Sequence, residues 1–388
     1  MKCSISILSF IIGMMVISGC SEHSVIYGNG EVIPIDFDKF EQLSMSDVVS
    51  KIEVIELEGN DSCYLVNPKT IQMYDGNIYM RDQHAVYVFD DDGRFIFNTA
   101  KKRGRGRNEY FSVNDYNVIG GNVGIMNHDG RIFVYDSLLN ARKVYNVPRN
   151  RVLYYMDYAL LNDDIMALSV QTGDSVIWNF YSTSKDKIVG SCFLSKVKRG
   201  GYRFGTLRRY ISNDSLVLFR SPDNGYSYFA LNPQDYTVSE RFRYDVGERA
   251  FSPKAVKKDE SITSYLERHP REFVIVMETL INNRFILSRL GYIEPWDGPN
   301  DVTSRLSFYD LKKGTQRLIN NRFNNGKMII GLDYMDDTCI ASFINDYSYI
   351  DLLYEDNLLD DKSRQILKGV NDGTNGLIIK YYFKDDIL

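Results

Sequence analysis

Short apolar runs recur along the chain at near-regular intervals, and each begins at a turn residue. The starts are separated by 45, 42, 51, 69 and 54 residues and lie at Asn77, Asn122, Asp164, Ser215, Arg284 and Thr338. A second, aromatic run follows each start, usually about 12 to 17 residues later, and these runs end at Asp90, Asp136, Tyr181, Leu231, Asp310 and Tyr354. A strand before each start and a third run after a polar turn complete the unit. The pattern predicts six units of four antiparallel strands.

Six repeats of four strands indicate an all-β, six-bladed β-propeller, because one small sheet cannot bury its faces alone and must stack on its neighbours. Two tandem β-sandwiches are the alternative, but they would not carry one repeat phase through the whole chain. The ring is completed either by Ile52–Leu57 or by Leu377–Phe383, and the pattern does not choose between them. Between blades 4 and 5, the segment DESITSYLERHP predicts one short amphipathic helix that ends near His269. Such a helix is either a plug at the edge of the ring or a lid over its mouth.

The N-terminus has the pattern of an export signal. A lysine at position 2 precedes an apolar stretch from Ile5 to Ile17, which is too short to span a membrane and ends in Ile-Ser-Gly before Cys20. This run resembles the lipobox of bacterial lipoproteins, in which the cysteine is acylated and becomes the mature N-terminus. We therefore predict a signal peptide at 1–19, a lipidated tether at 20–30 and one propeller domain at 31–388. Ser21 is not the aspartate that favours inner-membrane retention, so we expect export to the outer membrane, in a leaflet that the sequence does not specify.

The composition limits the classes of ligand and cofactor that we expect the chain to bind. The chain has 46 Lys and Arg against 51 Asp and Glu, for a net charge of −5, which argues against a nucleic-acid partner. Four His and five Cys occur without the spacings of metal sites, so we predict no metal and no cofactor. After removal of the signal peptide and lipidation of Cys20, three cysteines remain, at positions 63, 192 and 339, and we expect three buried thiols.

Several pieces of the sequence carry a family resemblance. They are the lipobox, KIEVIELEG, IYMRDQHAVYVFDDDGRFI followed by RGRGRNEY, the insert TSYLERHP, and LIIKYYFKDD. Together they resemble the six-bladed β-propeller lipoproteins of gut Bacteroidales, which have the shape of TolB-like and NHL-repeat propellers. Members of that family usually carry a Gly-Pro-Gly-Glu-Tyr-like run where this chain has Gly106–Tyr110. The resemblance implies fold and location, and it brings no reaction and no catalytic residues.

The long connections all fall at one end of the predicted strands, the end with second-to-third-strand turns and blade-to-blade crossovers. They span 101–111, 244–272 and 289–303. Function tends to reside in long loops on a rigid scaffold, so we expect the ligand site there. In the first loop, five cations in seven residues suit an anionic ligand, and the candidates are Arg103, Arg105 and Arg107. The alternative is a solvated turn whose glycines adopt positive φ and whose arginines pair with nearby aspartates.

Two further sets of candidates lie in the same predicted loops. The loop inside blade 5 offers an aromatic and acidic platform for a sugar or peptide, at Tyr292, Glu294, Trp296 and Asp297. Alternatively, Trp296 packs the loop against its own blade. His84 and His128 occupy equivalent turns of blades 1 and 2 and could serve as acid and base, or bind a metal with Asp82 or Asp129, although solvated turn histidines are common.

These observations favour an envelope-anchored, non-catalytic binding or scaffold lipoprotein. It would hold the membrane through its N-terminal lipid and present one propeller face to a glycan, a peptide or a protein of the envelope. The alternative is a propeller hydrolase or lyase acting at the central mouth, which requires His and carboxylates to converge. No Ser-centred GxSxG motif is present to support it.

Overall fold

The structure is a computed structural model. It describes residues 22–24, 30–66, 68–147, 153–161, 163–172, 175–196, 211–213, 216–220, 226–232, 234–252, 255–257, 260, 262–269, 272–292, 304–320, 322–323, 328–329, 331–345, 347, 350, 357–371 and 373–385. Cys20 and the predicted signal peptide lie outside these residues. No helix among them is long and apolar enough to cross a membrane.

The described chain is built mainly of strands. In chain order these are β1 Glu22–Ser24, β2 Glu31–Pro34, β3 Val49–Glu56, β4 Pro68–Tyr74, β5 Asn77–Asp82, β6 Ala85–Phe89, β7 Phe95–Asn98, β8 Asp115–Ile119, β9 Asn122–Met126, β10 Arg131–Tyr135, β11 Ala141–Asn146, β12 Leu153–Leu160, β13 Ile165–Thr172, β14 Ser175–Ser182, β15 Lys187–Lys196, β16 Ile211–Asn213, β17 Leu216–Arg220, β18 Ser227–Leu231, β19 Val238–Asp245, β20 Val274–Ile281, β21 Phe285–Tyr292, β22 Ser304–Asp310, β23 Thr315–Asn320, β24 Arg322–Phe323, β25 Met328–Ile329, β26 Tyr334–Met335, β27 Cys339–Ile344 and β28 Leu377–Phe383. The α-helices are α1 Met45–Val48, α2 Ile262–Arg268 and α3 Asp361–Gly369, and 3-10 turns occur at Ala100–Lys102 and Gly247–Arg249.

The strands form six four-stranded antiparallel blades in a ring, as the repeat predicted. Blades 1 to 5 are β4–β7, β8–β11, β12–β15, β16–β19 and β20–β23, and blade 6 combines β26, β27 and β28 with β3 from near the N-terminus. First strands of several neighbouring blades contact one another, for example β8 with both β4 and β12. The first strand of each blade is therefore nearest the ring axis, and the fourth strand is the outer one.

Each junction between neighbouring blades contains its own apolar cluster, because the side chains of a strand alternate between the two faces of its sheet. In β5, Ile78 and Met80 pack toward blade 6, whereas Tyr79 between them packs toward blade 2. The same division places the residues of all six blades into six inter-blade clusters, of which the cluster with Ile55 and Ile378 joins blade 6 to blade 1. Closure of the ring therefore buries the last two open faces.

Both segments proposed for ring closure belong to blade 6. β28 pairs with β27, and β3 pairs with the other edge of β28, from Leu377 opposite Glu56 to Phe383 opposite Val49. The prediction that the second aromatic strand of this unit ends at Tyr354 was wrong. The third strand of blade 6 is Leu377–Phe383, Ile350 is helical, and 351–356 lie outside the described residues. The partner of β27 must be buried on both faces, and Leu377, Ile378 and Ile379 are fully buried.

A segment of 32 residues, 345–376, therefore connects β27 to β28 and contains α3, which the repeat pattern did not predict. Asp360 caps this helix by accepting a hydrogen bond from the Ser363 amide at 2.8 Å. Leu367 packs into the cluster between blades 5 and 6. The connection lies at the same end of the strands as the other long loops, so the predicted one-sidedness of the loops is present in the structure.

The helix predicted between blades 4 and 5 is α2. Its Tyr265 and Leu266 are buried against Phe251, Val256 and Ile275, the last of which belongs to the first strand of blade 5. His269 stacks on Tyr265 with ring centroids 4.4 Å apart. These contacts fit the plug at the edge of the ring that the sequence offered as one interpretation.

The three remaining cysteines, at 63, 192 and 339, are free and buried, as expected, and burial raises the pKa of both Cys192 and Cys339 to about 12.

A substitution at Gly93 tests how closely blade 1 packs against β3, the strand that completes blade 6. Its carbonyl accepts a hydrogen bond from Glu58 at 2.8 Å, and an added Cβ would lie 2.1 Å from the carbonyl oxygen of Glu56. Gly120 also has positive φ, but an added Cβ there has no atom within 4 Å. Gly120→Ala should lose about 1–2 kcal/mol through backbone strain alone. Gly93→Ala should lose a further ~1–3 kcal/mol through the clash, measured by urea unfolding. Equal midpoints for the two variants would contradict this account of closure.

Candidate functional site

The cationic loop, residues 101–107, connects blade 1 to blade 2 and is held at its C-terminal end by Tyr110. The Tyr110 side chain is fully buried. Its hydroxyl lies 2.8 Å from the Thr99 hydroxyl, 2.9 Å from the Thr99 carbonyl and 3.1 Å from the His84 carbonyl. Its backbone carbonyl accepts from Gly104 at 2.8 Å, and its amide donates to Lys102 at 3.1 Å. A buried aromatic ring thus anchors a loop in which Arg103, Arg105 and Arg107 are exposed.

Glu109 shapes the inside of the same loop. One of its carboxylate oxygens accepts a hydrogen bond from the Gly106 amide at 2.8 Å. An added Cβ on Gly104 would lie 2.0 Å from the Glu109 carboxylate, so a side chain there would displace the end of the Glu109 side chain. Neither Gly104 nor Gly106 has positive φ, which corrects the expectation for the loop glycines. Instead, the absence of a Cβ at these two positions leaves room for the Glu109 carboxylate inside the loop.

Arg103, Arg105 and Arg107 are exposed, and the expectation that they pair with nearby aspartates was wrong. Within the described part of the chain, none of the three is in an ion pair. Asn108 next to them is fixed to blade 2, because the Tyr135 hydroxyl donates to its carbonyl at 3.0 Å. This bond holds Arg107 beside the outer strands of blade 2.

A groove of about 500 Å³ lies at that place. We call it the cationic groove, and it is lined by Arg107, Asn108, Arg131, Ala141, Arg142, Lys143, Val144 and Asn146. Four of the eight lining residues are cations and none is an acid. The connection between blades 1 and 2 supplies Arg107 and Asn108, whereas the third and fourth strands of blade 2 supply the other six. The groove is therefore formed by two separate parts of the chain on a rigid sheet.

Two of the four cations are neutralised by neighbouring aspartates. Arg131 pairs with Asp129 and Arg142 pairs with Asp136, each with an Nε to Oδ2 distance of 2.8 Å. Lys143 lies over the Tyr145 ring at 4.5 Å from its centroid, a cation–π contact that leaves the ammonium its hydrogen-bond donors. Arg107 and Lys143 are in no ion pair among the described residues. The groove therefore carries uncompensated positive charge.

The structure places the two candidate histidines in equivalent exposed turns, His84 between β5 and β6 and His128 between β9 and β10. Their proposed carboxylate partners have other roles. Asp82 is buried and accepts a hydrogen bond from the Val66 amide at 2.6 Å, and Asp129 holds Arg131. No three His, Cys, Asp or Glu side chains are grouped to hold a metal within the described residues. The geometry thus brings no acid–base set together around these histidines.

The aromatic and acidic platform predicted in blade 5 is described only at Tyr292. This residue is 7% exposed, its hydroxyl is bonded by Arg249, and its ring packs edge-on against Phe37 at 5.0 Å. Tyr292 is therefore a core residue and not part of an exposed platform, because it ends a strand that is buried on both faces. Glu294, Trp296 and Asp297 lie outside the described residues.

A second cavity of about 510 Å³ lies where blade 6 meets blade 1, and its lining includes Glu58, Asp92 and Asn375. Its polar groups bond to each other and to the backbone. Glu58 accepts from the Phe95 amide at 2.8 Å, Asp92 pairs with Lys362 at 2.7 Å, and the Asn375 amide donates to the carbonyls of Glu58 and Cys63 at 2.8 Å. These contacts hold blade 1 against the β3 and β28 strands of blade 6. The cationic groove is the better candidate for a ligand.

Arg131, Arg142 and Lys143 were missed by the sequence reasoning. These three residues have a common role only because they lie beside the cationic loop. The loop does not pair with β11, so no strand pattern in the sequence indicates that the two are close. One local signal was present. Arg142 and Lys143 are adjacent charged residues on a strand. A strand with one buried face would be expected to have a polar residue only at every second position.

The described residues define a six-bladed β-propeller with a cationic groove along the outer strand of blade 2. Residues 30–382 match one family model, and the chain belongs to that family, described as Domain of unknown function (DUF4934). A crystal structure of a candidate exported protein from Bacteroides fragilis is similar to 91% of this chain over its whole length, with a TM-score of 0.68 and 13% identity. A DUF4221 member from Bacteroides vulgatus is similar to 87% of this chain over 97% of its own, with a TM-score of 0.54 and 12% identity.

At these identities the two solved structures establish the fold alone. A comparison with curated proteins gives no match. The resemblance to Bacteroidales propellers is thereby confirmed for fold and family.

Replacing Tyr110 with Phe tests the anchor of the cationic loop. The variant removes a buried hydroxyl that is hydrogen-bonded to Thr99 and to the His84 carbonyl, and it should lose about 0.5–1.5 kcal/mol at neutral pH. Burial raises the pKa of Tyr110 to about 12, against 10.0 for the unfolded residue. The contribution of the neutral hydroxyl is complete below pH 10 and is lost as the pH rises toward 12. The stability gap between wild type and variant should therefore narrow across this window.

Thermal melts between pH 7 and 12 measure this gap. Tyr64→Phe is the matched control, because Tyr64 is 58% exposed and should give no comparable loss. A Tyr110→Phe variant as stable as the control at pH 7 would refute the anchoring role.

Proposed function

We propose that the protein is a lipid-anchored, non-catalytic binding protein of the bacterial envelope that presents one face of its propeller, at the cationic groove, to an anionic glycan, peptide or protein. The observation that carries the proposal is the cationic groove, in which four cations line one cavity of a chain whose net charge is −5. Support for the location comes from the lipobox at Cys20 and from the similarity to a candidate exported protein.

The groove fits an anion for a physical reason. Like charges that face one another across a cavity repel, so a cluster with two unpaired cations is relieved when a ligand brings negative charge. Arginine can bind carboxylate, sulfate or phosphate groups with two parallel hydrogen bonds, and such charge-assisted bonds are stronger than neutral ones. Because Arg131 and Arg142 are already oriented by Asp129 and Asp136, less side-chain entropy is lost when they bind.

Ligand binding is tested with residues 21–388 and four probes: a sulfated oligosaccharide, a glutamate-rich peptide, inorganic phosphate and a neutral oligosaccharide. At least one anionic probe should raise the melting temperature in a saturable and salt-sensitive way, and the neutral sugar should not. The double variant Arg107→Ala/Lys143→Ala should lose at least tenfold in affinity.

The matched control is Lys185→Ala/Lys187→Ala, which removes the same charge at an exposed turn on the opposite end of the strands. This variant should bind as the wild type does. Mass spectrometry of each mixture tests the non-catalytic part of the proposal, because a probe whose mass changes would contradict it. Equal affinity of both double variants would remove the groove as the binding site.

The anchor is tested in the full chain expressed in a host that processes lipoproteins. Cys20→Ser removes the only residue that the lipobox would acylate, so the protein should move from the membrane fraction to the soluble fraction and lose labelling by palmitate. Cys3→Ser, within the predicted signal peptide, is the matched control and should remain in the membrane fraction. Membrane retention of Cys20→Ser after a high-salt wash would contradict lipid anchoring.

A further inference from the structure

The fourth strand of a propeller blade has an outer edge with unpaired backbone groups, and this protein covers that edge in blades 3, 4 and 5 with its own N-terminal segment. β1 pairs in parallel with β15, and β2 pairs in parallel with β19. Glu41 bridges to β23, with its amide donating to Leu318 and its carbonyl accepting from Asn320, both at 2.9 Å. The outer edge of a blade in this fold thus accepts an added extended segment.

Blades 6 and 1 are covered in other ways. On β3, the amide of Ile52 donates to the Leu358 carbonyl at 3.0 Å, and the amide of Val54 donates to the Ser363 hydroxyl at 2.9 Å. On β7, the amide of Phe95 donates to the Glu58 carboxylate at 2.8 Å. Five of the six outer strands therefore have partners on both sides.

The exception within the described chain is β11, the outer strand of blade 2. It pairs with β10 and with no other described strand, and none of its residues has a further backbone hydrogen bond. Its outward side chains alternate little in exposure, since Arg142 and Lys143 are both exposed. An open edge of six residues is long enough to form several inter-strand hydrogen bonds with an added chain.

The open edge and the cationic groove coincide. Five of the six residues of β11 line the groove, and Arg107 and Arg131 flank it. Main-chain donors and acceptors therefore lie beside four cations. A sugar or a phosphate would use the cations alone, whereas an extended peptide with carboxylates would use both.

We propose that β11 binds an extended acidic peptide as a fifth strand of blade 2, with the peptide's carboxylates paired to Arg107, Arg142 and Lys143. This inference rests on the proposed function, since it names the ligand class of the same groove. The peptide's backbone bonds to the β11 edge give affinity, and carboxylates on both faces of the added strand pair with the cations of the groove. β1 and β2 are the internal precedents for such a strand in blades 3 and 4.

The competing explanation is that Arg142 and Lys143 only prevent pairing of β11 with strands of other molecules, since charged side chains on an outer strand disfavour such pairing. We call this role an edge guard. An edge guard would repel cationic and neutral strands but would have no saturable partner. The two explanations therefore differ in what an acidic strand does.

The test uses residues 21–388 and an eight-residue peptide with the sequence Glu-Glu-Val-Val twice, which places carboxylates on both faces of the added strand. Its counterpart is the same peptide methylated at every backbone nitrogen, which keeps the charge but removes all main-chain donors. The unmethylated peptide should bind saturably, and the methylated one at least tenfold more weakly. Amide hydrogen exchange should slow at residues 141–146 with the unmethylated peptide only. Arg107→Ala/Lys143→Ala should weaken its binding at least tenfold, and Lys185→Ala/Lys187→Ala should not.

The remaining outcomes separate this inference from the proposed function. If both peptides bind equally and the groove variant abolishes both, strand addition is overturned and an anionic ligand site remains. If neither peptide binds but the sulfated oligosaccharide does, strand addition is again overturned and the proposed function stands. If no anionic probe binds, β11 is a guarded edge and both proposals fail at this groove.

Discussion

Each blade of this protein has two apolar faces, and neither can be buried without a neighbouring blade. Ile78 and Met80 contact one neighbour while Tyr79 between them contacts the other, so a single strand contributes to two separate clusters. Fully burying a large apolar side chain contributes about 1.5–3 kcal/mol, and each cluster contains eight or more buried residues. A missing blade would expose two faces at once, so the stability of every blade depends on ring closure, where Ile55 and Ile378 of blade 6 pack with Ile78 and Met80 of blade 1.

Closure also determines where the chain can carry a ligand site. The N-terminal segment must reach blade 6 to supply β3, and on its way it covers the outer edges of blades 3, 4 and 5. Blade 2 is not on that path, and its outer edge faces the cationic loop. Among the described residues, the groove is therefore located beside an outer strand that has no further partner strand. Under the proposed function, its positive charge selects an acidic partner.

The repeat phase and the six blades could be predicted from the sequence because alternation along a strand is a local property that survives divergence of the loops. The strand order in blade 6 could not. The run ending at Tyr354 and the run Leu377–Phe383 have similar apolar and aromatic patterns, and only pairing with β27 distinguishes them. The cationic loop was recognisable from five charges in seven residues, whereas Arg131, Arg142 and Lys143 come from strands whose proximity to the loop is set by ring packing. Tyr292 was predicted to lie on an exposed platform but is buried, because an aromatic residue at a strand end has the same sequence pattern in both cases.

The pairing of β3 with β28 has a kinetic consequence. Val49 lies opposite Phe383, so the contact spans 383 − 49 = 334 residues, and β2 must likewise wait for β19. The segment that is synthesised first is thus among the last to find its partners, while blades 1 to 5 are built from hairpins of neighbouring strands that can form locally. Folding should therefore pass through an open arc of blades with a free N-terminal arm, and ring closure should set the overall rate.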